Sequence, residues 1–393
     1  MRMLGCSGNS TAADSCNHGM IRSNKRSMND LKLFAEDDDV TMSTLDDSEQ
    51  FMALDEQGSS FLFGGNETAH CLQRELKRLP MAIQEKVGQD MVGIVADDGT
   101  TITPESFEVF ETEIQQIPEK SAYDMAVKIS PDYVQSNRFR LMFLRACQGD
   151  AKKAAKRITR HFSTKLNLFG SEKLVKDIEL SDLDEYDMEA LQSGGFQVLP
   201  KRDLAGRNVL FGRYTAMKYR EIKNMLRALW YIWMSMLEDE VNQVKGVVAI
   251  GYELFRVPLQ RFDHNNIAED SDFEMFGAEG GFDRELAREI IRIPLSVPAR
   301  PVGYHLCCDS HQWVGILEMI MVTLCKFVRL RMRIHNGSEQ ECKYALLTSG
   351  MPAECIPVDS CGDLDLTNHN EWIWERERLE ELRRSTTDVL LVR

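Results

Sequence analysis

The chain has 393 residues, 43% of them hydrophobic and 28% charged, a globular balance that excludes collagenous, low-complexity and wholly disordered classes. Asp and Glu outnumber Lys and Arg by 62 to 47, for a formal charge of −15, which argues against broad sequence-independent binding to nucleic acid. Ten scattered cysteines do not make a disulfide scaffold and read as reduced thiols in a reducing compartment.

A chain of this length buries enough surface to need neither disulfides nor a structural metal. The longest apolar stretches, 228–237 and 314–330, are short or interrupted by Glu318 and Lys326, so no transmembrane helix is expected. The N-terminus has no apolar core of a signal peptide. The expected location is cytoplasmic, with peripheral membrane association.

Residues 1–65 are rich in Ser, Asn, Asp and Gly and carry acidic runs such as 36–39. They bury too little apolar surface to offset chain entropy and are expected to be a mostly disordered acidic tail. A helical region follows over 66–190. Leu72, Leu76, Leu79, Ile83 and Val87 form one stripe at helical spacing, with Pro80 as its break. A second helical stretch runs over 104–129 around Pro118, and Pro131 opens a third. Residues 151–165 read as a basic amphipathic helix bearing Lys152, Lys153, Lys156, Arg157 and Arg160.

From Gly194 the period changes. Strands are predicted over 196–199, 208–213, 245–253, 301–309 and 328–335. Helices are predicted over 225–237, 282–293 (Asp283 as N-cap, Pro294 just beyond the end), 312–326 and 339–347. Alternating strands and helices imply a mixed, mainly parallel sheet covered by helices, an α/β domain over 191–360. A charged helix over 370–384, with Trp372, Leu379 and Leu382 on one stripe, belongs to a C-terminal extension over 361–393.

The sequence holds no Walker loop, dinucleotide fingerprint, nucleophile elbow or His-Glu-x-x-His motif. His305, Cys307, Cys308 and His311 lie close together, but a matching second pair of metal ligands is missing. A Cys308 nucleophile served by His311 and Asp309 would require three near-adjacent residues to form a triad. Neither a catalytic site nor a metal site is assigned. The distinctive feature is an excess of apolar elements over what one sheet needs, above all the stripe Trp313, Ile316, Leu317, Ile320, Met321 and Leu324. A lipid-lined cavity satisfies such a helix as well as a core does.

The order of several phrases resembles the CRAL-TRIO, or Sec14-like, family of lipid-binding proteins. These are Arg138-Phe139-Arg140-Leu141-Met142-Phe143-Leu144-Arg145-Ala146, then Arg202-Asp203-Leu204-Ala205-Gly206-Arg207-Asn208-Val209, then Met351-Pro352-Ala353-Glu354-Cys355-Ile356-Pro357. Gly251-Tyr252-Glu253 and Val297-Pro298-Ala299-Arg300 depart from the family pattern. The resemblance implies a cavity floored by the sheet, with 312–326 as a mobile lid, and head-group contacts from Arg331 and Arg333 on the strand that ends at His335.

The expected function is binding of a phospholipid, phosphoinositide or other lipophile, with transfer between membranes, no catalysis and no cofactor beyond the bound lipid. The candidate pocket residues are Val209, Phe211, Trp230, Met234, Val248, Ile250, Tyr304, Leu306, Trp313, Ile316, Ile320, Leu324 and Phe327. A transient membrane surface is the expected partner, docked through the cations of 152–157, with no nucleic acid. A protein partner would engage the N-terminal region. The alternative is a non-catalytic interaction module in signalling or trafficking whose pocket is filled.

Overall fold

The computed structural model describes residues 65–94, 102–213, 216–253, 284–308, 326–359 and 361–391. The predicted acidic tail lies outside them. The first two helices are α1 (Gly65–Lys77) and α2 (Met81–Val92), parted at Pro80 as the missing N–H of proline requires. Then come α3 (Pro104–Gln115), α4 (Ser121–Ile129), α5 (Pro131–Gln135), α6 (Asn137–Ala146) and α7 (Ala151–Phe169). Asp150 caps α7 by accepting from the Lys153 N–H at 3.0 Å, which satisfies one orphan donor of the first turn. Helix α7 runs one turn beyond its predicted end. Helices α3 to α7 enclose an aromatic core of Phe110, Tyr123, Phe139, Phe143 and Phe162.

The remaining elements are α8 (Glu185–Gln192), β1 (Phe196–Val198), β2 (Val209–Gly212), α9 (Ile222–Met236), α10 (Glu240–Lys245), β3 (Val247–Glu253), α11 (Arg284–Ser296), β4 (Pro301–Cys308), α12 (Lys326–Leu330), β5 (Met332–Asn336), α13 (Glu339–Thr348) and α14 (Thr367–Leu391). The strands form one sheet in the order β1-β2-β3-β4-β5. Strand β1 is antiparallel to β2, and all later neighbours are parallel. The class is therefore α/β with a mixed, mainly parallel sheet. Among the described residues no helix is long and apolar enough to cross a membrane.

Three predicted elements differ. Residues 328–331 are not strand: 326–330 form α12, and the Arg331 N–H donates to the Val328 carbonyl at 3.0 Å before β5 begins. Pro294 sits inside α11 rather than beyond it. The helix survives because the Val297 N–H still reaches the Ile293 carbonyl at 3.0 Å and the Ser296 hydroxyl donates to the Arg292 carbonyl at 2.8 Å. In α14 the buried stripe is His369, Ile373, Arg376 and Glu380, while Leu382 is exposed. Arg376 holds both Glu238 and Glu380 and donates to Tyr231 at 3.0 Å, so a charged stripe packs inward. The predicted helix 312–326 lies outside the described residues except Lys326, which opens α12.

Candidate functional site

Side chains alternate across a strand, so each strand divides its residues between two faces. On one face Val209, Phe211, Val248, Ile250, Tyr252 and Cys307 pack with Cys342 and Leu346 of α13 and with Met351, Ala353 and Ile356. All are buried; this face is closed over β2, β3 and β4, while Arg333 and His335 of β5 on it are half-buried. On the other, Leu210, Val247 and Ala249 meet α9 and α11. Farther along that face the cover thins: Ala249, Gly251, Tyr304 and Ile334 are only half-buried. Leu306 and Met332 lie between them at 8% and 6% exposure. Register aligns Gly251 with Leu306 and Leu306 with Ile334 across the three strands. A Cβ on Gly251 would fall 2.9 Å from Leu306 Cδ1; glycine there gives the leucine room. This open, apolar face of β3, β4 and β5 is the candidate site.

At its far end Glu253, Cys308 and Asn336 stand side by side by register. Glu253 and Cys308 are buried, and the Asn336 side-chain oxygen is buried with no hydrogen-bond partner among the described residues. These are the carboxyl ends of parallel strands, where α/β sheets commonly bind ligands. The chain leaves the sheet there into 254–283 and 309–325, which lie outside the described residues.

The pocket candidates read from the sequence thus separate. Val209, Phe211, Val248 and Ile250 belong to the closed face, with Phe211 and Tyr252 ring centroids 6.2 Å apart. Tyr304 and Leu306 belong to the open face. Trp230 faces the N-terminal helices: it is 4.8 Å from the His161 ring and 6.2 Å from Phe169. Met234, like Ala249, is partly buried and packs against the cluster of α9 and α11. Trp313, Ile316, Ile320 and Leu324 lie outside the described residues, as does the side chain of Phe327 in α12. Sequence reasoning missed Ala249, Gly251 and Ile334. The signal was present, because small residues at alternate positions of β3 mark a face that something else fills.

Neither head-group candidate faces this site. The Arg331 guanidinium is 5% exposed and donates to the Asp90 carboxylate at 2.6 Å. Arg333 pairs in register with His305, on the closed face, and donates to the Met332 carbonyl at 2.8 Å. Desolvation lowers its pKa. Beside it the His305 and His335 rings stack, with Nδ1 and Nε2 at 2.9 Å. Burial, then the neighbouring charge of His335 and Arg333, pulls His305 down to about 3; burial and Arg333 pull His335 down to about 4. Both rings are neutral at pH 7, one donating and one accepting. Of the proposed docking cations, Lys152 and Lys153 are exposed, whereas Arg157 donates to the Ala299 carbonyl.

Among the described residues no three His, Cys, Asp or Glu side chains converge to hold a metal ion. The hydrogen bond with Cys342, and then burial, push the Cys307 thiol up. An open groove of about 380 Å³ lined by His70, Gln73, Arg74 and Lys77 runs along α1. No protein-family model matches this chain, and no curated protein matches it.

Proposed function

We propose that the protein binds a single lipid or other lipophile against the open face of β3, β4 and β5 and carries it without chemical change. One observation carries this reading. Ala249, Gly251, Tyr304 and Ile334 share a face that is apolar yet only half-buried, while the opposite face of β2, β3 and β4 is sealed. Covering apolar surface gains about 25 cal/mol per Å², so such a face favours an apolar occupant. The small side chain of Ala249, itself half-buried, leaves it room. The Asn336 oxygen supplies one polar acceptor at the end of the strands. The phrases over 138–146, 202–209 and 351–357 support membership of the CRAL-TRIO class, whose members work in this way. The alternative, an interaction module with a filled pocket, needs no retained lipid.

The test is mass spectrometry of lipids retained by the purified chain after incubation with a membrane extract. Ile334→Trp, which fills the open face, is the control. A stoichiometric lipid in the wild type, lost in the control, is the expected result. Absence of lipid from a folded wild type refutes the reading.

A further inference from the structure

The residues that lead into three parallel strands converge on one helix end. Arg207 precedes β2, Arg300 precedes β4 and Arg331 precedes β5. Arg207 is 1% exposed and donates to the carbonyls of Asp90 and Met91 at 2.6 and 2.7 Å, at the C-terminus of α2, while Asp203 holds its Nε at 2.7 Å. A cation suits a helix C-terminus, where carbonyls lack intrahelical partners. Arg300 and Arg331 donate to the two oxygens of the Asp90 carboxylate at 2.8 and 2.6 Å. All three groups are 5% exposed. Three guanidinium groups thus share two carboxylates. Burial, and then the charges of Arg331 and Arg207 working against Asp90, lowers the Arg300 pKa. Gly93 ends α2 in the left-handed region, φ 73°, and packs so closely that a Cβ there would fall 2.1 Å from that of Ala205.

Helix α1 adds a second tie. Glu75 pairs with Arg329 at 3.1 Å, and α1 packs along β5 and α12. Arg329 and Arg331 bracket Leu330, the residue at which the β4–β5 crossover turns into β5. Apolar anchorage is slight by comparison. Among the described side chains of 65–94, Leu72 and Val87 are the buried apolar ones, while Met81, Val92 and Ile94 are 75%, 62% and 57% exposed. Buried ion pairs contribute little net stability when intact, yet losing one partner is severe because the other charge stays buried. A helix pair held in this way docks with a small free energy and a single sensitive point, the signature of a unit that opens separately from the core.

We propose that α1 and α2 form a releasable clasp on the β4–β5 crossover, with Asp90 as its keystone. Closed, it fixes the chain on both sides of Leu330; open, it frees the entry to β5 while the rest of the domain stays folded. The test is hydrogen exchange by mass spectrometry on the full chain, wild type against Asp90→Asn. Amides of 81–94 and 328–334 should exchange at least tenfold faster in the variant. Those of the aromatic core over 139–162 should change less than twofold. Unchanged exchange over 81–94, or an equal rise over 139–162, would overturn the proposal. Glu75→Gln covers the case in which Asp90→Asn does not fold. It should raise exchange about threefold over 66–77 and 326–331 alone, and no change over 326–331 would equally overturn the clasp.

Discussion

His161 makes the stability of this fold depend on pH through one identifiable ring. It is 1% exposed and lies among Phe139, Phe143, Phe162 and Trp230, with ring centroids at 5.6, 5.3, 5.3 and 4.8 Å. Burial, and then the charge of Lys165, holds its pKa well below the ordinary value, against a weaker opposing contribution from the Ser296 backbone. The unfolded chain takes up a proton here below about pH 6.5, and the folded chain does not. The stabilisation is therefore complete above pH 6.5 and is lost as pH falls from there toward the folded pKa. At pH 5 the unfolded state gains about 2 kcal/mol from this one proton, a sizeable part of an ordinary domain's 5–15 kcal/mol or so. His161→Phe keeps an aromatic ring in an aromatic cage and removes the proton. Urea unfolding at pH 7.5 and pH 5 should show the variant losing about 2 kcal/mol less than wild type on acidification. Equal losses in the two proteins would refute the reasoning.

Other outcomes follow from the same structure. His305 and His335, held at about 3 and about 4, destabilise in the same direction, so His335→Phe should also flatten the pH dependence between 6.5 and 4, as measured by thermal unfolding across that range. Arg376→Leu leaves Glu380, 2% exposed, without its cation and should cost about 3–5 kcal/mol in urea unfolding. Arg331→Met should lower stability even without lipid, because it strips the buried Asp90 of one partner; a variant as stable as wild type that fails only in lipid retention would restore Arg331 as a head-group ligand. Gly93→Ala meets Ala205, whereas Gly206→Ala, also at positive φ, meets nothing within 4 Å. The second should cost about 1 kcal/mol of backbone strain and the first clearly more, measured as the difference in unfolding midpoints.

The residues by themselves determined the α/β class, the break at Pro80 and the burial of α9, whereas the expected helical stretch around Pro118 is split into α3 and α4. Each follows from a local rule: proline lacks a donor, and an all-apolar helix has no face for water. They also determined that β2 and β3 are buried strands. The chain alone did not say which face of those strands is sealed, because Val209, Phe211, Val248 and Ile250 are as apolar as any pocket lining. That was decided by α13 and the turn at Ala353–Cys355 packing on one side, contacts made from over 90 residues away in sequence. The same holds for charge. Arg331 reads as a free cation on a strand, and Arg376 and Glu380 read as a solvated helix face, until distant Asp90 and Glu238 are brought beside them. Periodicity registers which side chains share a face; only the tertiary fold supplies the partner that makes a buried charge tolerable.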